Sequence, residues 1–181
     1  MKRSFGLRFC YHAFVKTYHS KLIVLRGNSG SGKSSTARAV REASKNKIAV
    51  VEQDYLRRIV LKEKEADNGD NIELIEQVTL FALSKGYHVI LEGILYFPRY
   101  GKMLERLSNV CPNNYFYYFD VSLEETLRRH AYKPNAHEFG EKEMGAWFQK
   151  NDLTHFKNEK IILESMPLSE IVDLIISDSG L

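Results

Sequence analysis

Short apolar runs alternate with longer amphipathic segments along this chain of 181 residues. The apolar runs are rich in β-branched or aromatic residues and predict buried strands at 21–26, 48–53, 88–92, 115–119 and 161–163. The amphipathic segments predict helices at 35–44, 55–64, 72–85, 100–107, 141–149 and 168–176, and a capping box at Ser122 to Glu125 opens another. Because strands alternate with helices, we expect a parallel sheet covered on both faces, in one α/β domain.

The turn between the first strand and the first helix carries the most specific motif. Gly27 to Ser34 reads Gly-Asn-Ser-Gly-Ser-Gly-Lys-Ser and fits G-x-x-x-x-G-K-[ST] at every fixed position. Such loops hold phosphates with backbone N–H groups, glycines allow the positive φ angles this requires, and the following helix start adds a favourable field. Lys33 is expected to reach the terminal phosphates, and the Ser34 hydroxyl to ligate magnesium. The predicted nucleotide-binding residues are Gly27, Asn28, Ser29, Gly30, Ser31, Gly32, Lys33, Ser34 and Ser35.

Two other predicted strands end in an acidic residue. Asp54 follows the second strand, and Glu92 ends the third, just before Gly93. Ligands of open α/β sheets bind beyond the carboxyl ends of the strands, so both carboxylates are expected beside the nucleotide. Asp54 is predicted to activate or orient an acceptor hydroxyl, the alternative being an N-cap of the next helix. Glu92 is predicted to hold magnesium through water, beside Ser34, or to orient the acceptor.

Arginines close to these acids are candidate ligands for the acceptor. Arg57 lies one helical turn after Asp54, and Arg57 or Arg58 is predicted to bind an anionic part of the acceptor. The alternative is a solvated basic face. Arg99 lies just downstream of Glu92 and is a further candidate for a substrate anion.

Arg128 and Arg129 end the helix that opens at Ser122, where a helical lid over about residues 128–150 is predicted to begin. A lid excludes water from phosphoryl transfer, and an arginine within it stabilises charge on the transferring group. At least one of the two arginines is therefore expected to be catalytic, together with Lys33 and Asp54. The alternative for both is a favourable interaction with the helix C-terminal dipole.

The net charge of +3 conceals an uneven distribution. Residues 1–41 contain nine lysines and arginines and no acid, whereas the remainder carries 17 basic and 23 acidic residues. The acidic body argues against broad nucleic-acid binding. We interpret residues 1–20 as an N-terminal extension, with an extra strand, a loose segment and a transit peptide as alternatives, and residues 21–181 as the catalytic domain.

Two further sequence features bear on location. No apolar stretch is long enough to span a membrane. Two cysteines, Cys10 and Cys111, form neither a disulfide framework nor a metal site, and they are interpreted as free thiols in a reducing cytoplasm.

Four motifs together resemble the small P-loop kinases, a group that includes gluconate, shikimate and adenylylsulfate kinases and the chloramphenicol phosphotransferases. They are Gly27 to Ser34, Asp54-x-x-Arg57, Val89-Ile-Leu-Glu92-Gly93 and Arg128-Arg129. The resemblance implies a three-layer α/β/α P-loop NTPase fold with a five-stranded parallel sheet of order 2-3-1-4-5. It also implies Mg-ATP as donor and a hydroxyl as acceptor. No acceptor signature of a named member is complete, and no adenylate-kinase-type Asp-Gly-x-Pro-Arg motif is present.

The leading hypothesis is therefore an ATP-dependent phosphotransferase that acts on a small molecule, such as a metabolite, nucleoside or antibiotic, as a monomer or homodimer. Two alternatives stay open at this point. One is a regulatory P-loop ATPase, and the other is a kinase of a macromolecular or cell-wall-precursor acceptor in the manner of zeta-type toxins. The candidate wall of the acceptor pocket is the segment 55–70.

Overall fold

The computed structural model describes residues 18–132 and 140–181. Its centre is a five-stranded parallel sheet with the order β2-β3-β1-β4-β5. The strands are β1 (Leu22–Gly27), β2 (Ile48–Glu52), β3 (His88–Gly93), β4 (Asn114–Asp120) and β5 (Glu159–Leu163). Both the predicted fold class and the predicted strand order are confirmed.

The α-helices between the strands largely match the predicted segments. They are α1 (Lys33–Ala43), α2 (Asp70–Ser84), α3 (Phe97–Val110), α4 (Leu123–His130), α5 (Glu141–Trp147) and α6 (Leu168–Ser179). Helix α3 begins earlier than predicted because Pro98 lies in its first turn, where a missing N–H removes no intrahelical bond. The helix predicted over 55–64 is instead a short π-helical segment, Tyr55–Val60.

The capping box at the start of α4 is only half formed. The Ser122 hydroxyl accepts a hydrogen bond from the Glu125 N–H at 3.2 Å, as expected. The Ser122 N–H, however, donates to the Glu164 carboxylate at 2.9 Å rather than to Glu125. The Glu125 side chain is consequently available to the arginines at the end of the helix.

Strand β1 is the centre of the core and carries the phosphate loop at its carboxyl end. All six of its residues are buried, and it pairs with β3 on one side and β4 on the other. Leu22 and Val24 pack in the cluster that α2 and α3 cover, whereas Ile23 and Leu25 pack in the cluster that α1 and α6 cover. Each fully buried aliphatic side chain of this kind contributes about 1.5–3 kcal/mol, so the loop is mounted on a strand that both hydrophobic layers hold in place.

Several expectations fall wholly or partly beyond these residues. Cys10, most of the N-terminal extension, and residues 133–139 of the predicted lid lie outside the described part of the chain.

Cys111 is a free, buried cysteine, and burial raises the pKa of its thiol to about 11. Within the described ranges no helix is both long and apolar enough to cross a membrane. The domain limits, oligomeric state and cytoplasmic location stay predictions.

Candidate active site

The loop from Gly27 to Ser34 has the backbone geometry of a phosphate cradle. Its three glycines, at 27, 30 and 32, have φ angles of 135°, 84° and 109°. At Gly30 a β-carbon would lie 2.6 Å from the Thr126 carbonyl oxygen, so glycine allows α4 to pack directly on the loop. The buried Lys33 ammonium donates to the Asn28 carbonyl oxygen at 2.7 Å and to the Ser31 hydroxyl at 3.1 Å. The loop is therefore already folded around its lysine.

Ser34 and Glu92 meet beside this loop. The Ser34 hydroxyl donates to a Glu92 carboxylate oxygen at 2.7 Å, and only 5% of Glu92 is exposed. Burial raises the pKa of Glu92, although the Lys33 charge and the Ser34 hydrogen bond both favour its ionised form. Magnesium commonly takes one or two protein oxygens and completes its shell with phosphate and water. A hydroxyl and a carboxylate in contact, next to the phosphate loop, fit that ion.

Asp54 lies at the end of β2, where it pairs with two arginines. Its carboxylate accepts from Arg57 at 2.9 Å and from Arg58 at 3.2 Å, and 61% of its side chain is exposed. It occupies the N-cap position of the π-helical segment but makes no side-chain capping bond to it. Its charge contributes to the raised pKa of Glu92, which places the two carboxylates in one electrostatic environment.

The Glu65 carboxylate contacts two of the arginines that are candidates for binding the acceptor. Glu65 forms an ion pair with Arg57 at 2.9 Å and another with Arg99 at 2.9 Å. Asp67 accepts from Arg99 at 2.8 Å, and the Tyr100 hydroxyl contacts Glu65 at 2.8 Å. Because these contacts restrain both guanidinium groups, the arginines need little further ordering to bind an anion.

A cleft of about 660 Å³ opens next to the phosphate loop. Its size lies within the roughly 300–1,000 Å³ usual for small-molecule sites. Ser29 of the loop lines it on one side. Its charged lining residues are Arg57, Arg58, Lys62, Lys64 and Arg99, with Glu63 and Glu65 as the acids, and its apolar ones include Ile94, Tyr96, Ala146 and Trp147. Asp54 is not part of the lining, but its partners Arg57 and Arg58 are.

The two arginines of α4 have different positions. Arg129 donates to the Ser31 carbonyl oxygen of the phosphate loop at 2.9 Å, to the Glu164 carbonyl oxygen at 2.9 Å and to Glu125 at 2.6 Å. Among the described residues Arg128 forms its hydrogen bonds and ion pair with Glu125, and 64% of its side chain is exposed. The two arginines lower the pKa of Glu125 to about 2. Arg129, and not Arg128, is therefore the arginine at the loop.

The family model for the zeta toxins matches residues 10–109 of the sequence, more than half of the chain. The chain belongs to the zeta toxin family. A comparison with curated protein sequences gives no match. The matched range covers the phosphate loop, Asp54, Glu92 and the arginines of the cleft, whereas Arg129 and α5 lie beyond it.

Solved structures of small P-loop kinases share the fold of this zeta toxin family member. The APS kinase of Mycobacterium tuberculosis, solved with AMPPNP and APS, is 18% identical with a TM-score of 0.68, over 91% of this chain and 99% of that one. A gluconokinase of Sinorhizobium meliloti is 18% identical with a TM-score of 0.58, over 91% and 93%. The tunicamycin resistance protein of Deinococcus radiodurans is 18% identical with a TM-score of 0.62, over 90% and 96%. At this identity the likeness shows the fold.

Sequence reasoning missed several residues of the site in this zeta toxin family member. Lys62 and Lys64 line the cleft within the segment 55–70, which the sequence predicts as its wall, but neither was predicted individually. Tyr96 also lines the cleft and lies outside that segment. Arg26 had a visible signal, since it is a charged residue at the end of an otherwise apolar strand, directly before the phosphate loop. It is completely buried.

Proposed function

We propose that this protein is a kinase that transfers the γ-phosphoryl group of Mg-ATP to a hydroxyl of a small anionic molecule. One observation carries the proposal. Ser29 of the phosphate loop lines the same cleft as Arg57 and Arg99, so a phosphoryl donor on the loop and an acceptor on the arginines would face each other. Phosphoryl transfer depends mainly on such positioning and on charge stabilisation, and this arrangement supplies both.

Each group of the site has a role in this reaction. The loop amides and Lys33 bind the phosphates, and Ser34 with Glu92 would hold magnesium. The acceptor oxygen forms a bond to the γ-phosphorus as the bond to the ADP oxygen breaks. The proposed recipient of the hydroxyl proton is the Asp54 carboxylate, which lies outside the cleft lining but contacts its residues Arg57 and Arg58. Arg129 offsets negative charge on the transferring group.

The lining of the cleft supports an acceptor with negative charge. Five basic and two acidic side chains line the cleft, and the basic ones still outnumber the acids when Asp54 and Asp67, which pair with the arginines from outside the lining, are counted. The carboxylate of Glu65 holds Arg57 and Arg99 in position. Arginine binds carboxylates and phosphates through two parallel hydrogen bonds. Tyr96 and Trp147 add aromatic surface against which a ring can pack. The acceptor class that fits best is a ring-containing hydroxyl compound bearing a carboxylate or phosphate.

A screen with γ-labelled ATP tests the proposal. The full chain is incubated with matched pairs of acceptors, each pair differing only in a phosphate or carboxylate, such as a sugar and its sugar acid, or a nucleoside and its nucleotide. We expect label in the anionic member of a pair, and none with Lys33→Ala. Release of label only as inorganic phosphate, whatever the acceptor, would instead support the regulatory ATPase.

The family match favours a second candidate, a toxin-type kinase whose acceptor is a cell-wall precursor or another macromolecular precursor. This candidate predicts that induced expression in bacteria arrests growth and that Lys33→Ala abolishes the arrest. Growth unaffected by the active protein, combined with labelling of a soluble metabolite in the screen, would favour the small-molecule kinase.

A further inference from the structure

Arg26 is a buried guanidinium with every N–H group in use. It occupies the last position before the phosphate loop, and its side chain has no exposed surface. Its Nε and one terminal nitrogen donate to the Leu95 carbonyl oxygen at 3.2 and 3.0 Å. The remaining N–H groups donate to the Asp152 carboxylate at 2.7 Å, the Asp152 carbonyl oxygen at 2.9 Å and the Glu159 carboxylate at 3.0 Å. Five donors thus meet five acceptor contacts, a match that lysine does not provide.

The first wall held by Arg26 is the turn after β3. Leu95 has a φ angle of 46°, a left-handed conformation that costs a residue with a β-carbon about 1–2 kcal/mol. Its neighbours Ile94 and Tyr96 line the acceptor cleft. The Asp152 carboxylate, itself bound to Arg26, also accepts from the Phe97 N–H at 3.0 Å at the start of α3. Arg26 therefore contacts this turn directly at Leu95 and, through Asp152, the Phe97 N–H that follows it.

The second wall is the segment that follows α5. The buried Asn28 side chain donates to the Gln149 carbonyl oxygen at 2.8 Å and accepts from the Gln149 N–H at 2.8 Å. Gln149 lines the cleft together with Trp147. Arg26 holds the same segment three residues further on, through Asp152. Asn28 lies in the phosphate loop and Arg26 directly before it, and the side chains of both contact the walls of the acceptor cleft.

We infer that Arg26 and Asn28 are positioning residues that set the two walls of the acceptor cleft from the phosphate loop. A well-packed apolar group can replace a buried ion pair with little loss of stability, so stability alone is a weak reason for this arrangement. The hydrogen bonds of Arg26 and Asn28 do, however, connect the phosphate loop, where the donor would bind, to the walls of the cleft, where the acceptor would bind. The inference rests on the proposed function for its meaning in catalysis, but the placement of the walls is measurable without turnover.

Trp147 is the only tryptophan in the sequence, so its fluorescence reports on the second wall. The test measures acrylamide quenching in the full chain for Arg26→Lys, Asn28→Ala and the control Ile23→Val. Ile23 is buried in the same strand but packs on the opposite face of the sheet. We expect the quenching constant to rise at least about twofold in the first two variants, because segments with fewer buried bonds open locally. We expect no change in the control.

Equal quenching in wild type and in both folded variants, with folding verified by circular dichroism, would overturn the inference. If Arg26→Lys does not fold, Asn28→Ala carries the test. A milder substitution of the partner, Asp152→Asn, adds a third variant, because it keeps the shape of the side chain and weakens the charge pairing.

Kinetics separate positioning from a loss of structure. With the acceptor found by the screen, Arg26→Lys is expected to raise the acceptor KM about tenfold, while the dissociation constant of a fluorescent ADP analogue stays within about threefold. Parallel loss of nucleotide and acceptor binding would indicate a structural role and overturn the inference. Absence of phosphotransfer in the wild type would instead contradict the proposed function. The quenching experiment would still test whether Arg26 and Asn28 hold the walls in place, because it does not depend on turnover.

Discussion

The Ser34 hydroxyl donates a 2.7 Å hydrogen bond to the Glu92 carboxylate and so links the phosphate loop to the end of β3. The bond stabilises a charged group that burial disfavours. Lys33 is the other group that favours the ionised form, whereas the charges of Glu52 and Asp54 oppose it. Under the proposed function, Glu92 is therefore a residue whose charge serves catalysis but lowers stability.

Replacing Glu92 by Gln is expected to raise the stability of the metal-free protein near pH 7 and to lower phosphotransfer. Removing a largely buried carboxylate eliminates an unfavourable charge, so we expect the free energy of unfolding to rise by about 1 kcal/mol. Loss of the carboxylate that is proposed to hold magnesium is expected to reduce kcat about 100-fold. Thermal unfolding in the presence of a chelator measures the first effect, and labelled-ATP assays measure the second.

The stability effect should depend on pH with a definite sign. Because the pKa of Glu92 in the folded state lies above its ordinary value of 4.5, the folded chain binds more protons than the unfolded chain between the two pKa values. Wild-type stability relative to Glu92→Gln should therefore fall as pH rises through that window, and level off below pH 4.5. An advantage of wild type that grows as pH rises would contradict this assignment.

Asp54→Asn is expected to lower kcat about 100-fold and to leave nucleotide affinity unchanged, because the amide cannot accept the hydroxyl proton. Asp120→Asn is the matched control, since Asp120 is also an exposed acid at the carboxyl end of a strand. Single-turnover assays with saturating ATP measure the chemical step, and unchanged turnover in Asp54→Asn would rule out the role as base.

The two arginines of α4 provide a paired test within one helix. Both contact Glu125, so each Ala variant removes one partner of that carboxylate, but Arg129 alone also contacts the phosphate loop. Arg129→Ala is expected to reduce kcat about 100-fold, with Arg128→Ala within about threefold of wild type. Steady-state kcat values of the two variants show which arginine acts in catalysis. A larger loss of kcat in Arg128→Ala would assign that role to Arg128 instead.

Charge reversal in the cleft tests whether the acceptor is anionic. The double variant Lys62→Glu with Lys64→Glu is expected to raise the acceptor KM about tenfold, with a smaller effect at high salt because exposed charges are screened. The KM for ATP should change little. Lys45→Glu with Lys102→Glu makes the same change of net charge at exposed positions outside the cleft lining. Equal effects of the two double variants would show that only net charge matters.

The parts of the site that the sequence predicts are those determined by local pattern and strand topology. The loop motif predicts its own backbone geometry. The partnership of Ser34 and Glu92 follows once β1 and β3 are neighbours, because the carboxyl ends of parallel strands meet at one edge. The sheet order itself followed from the resemblance to P-loop kinases.

Other features depend on contacts that no local pattern encodes. The choice between Arg128 and Arg129 depends on the side-chain directions of adjacent residues on α4. The bonds from Arg26 to Asp152 and from Asn28 to Gln149 join residues more than 100 positions apart. They depend on the path of the connection between α5 and β5, which has no periodicity to interpret. The π-helical segment likewise departs from the spacing used to predict helices.

Arg26 has a consequence for any attempt to redirect this protein to another acceptor. Its five contacts join the residue before the phosphate loop to the turn after β3, to the segment after α5 and to Glu159 at the start of β5. A segment after α5 transplanted without an acid at position 152 would leave the buried guanidinium without one of its two carboxylate partners, at a cost of several kcal/mol. Under the proposed function, an exchange of the two cleft walls would therefore have to include position 26.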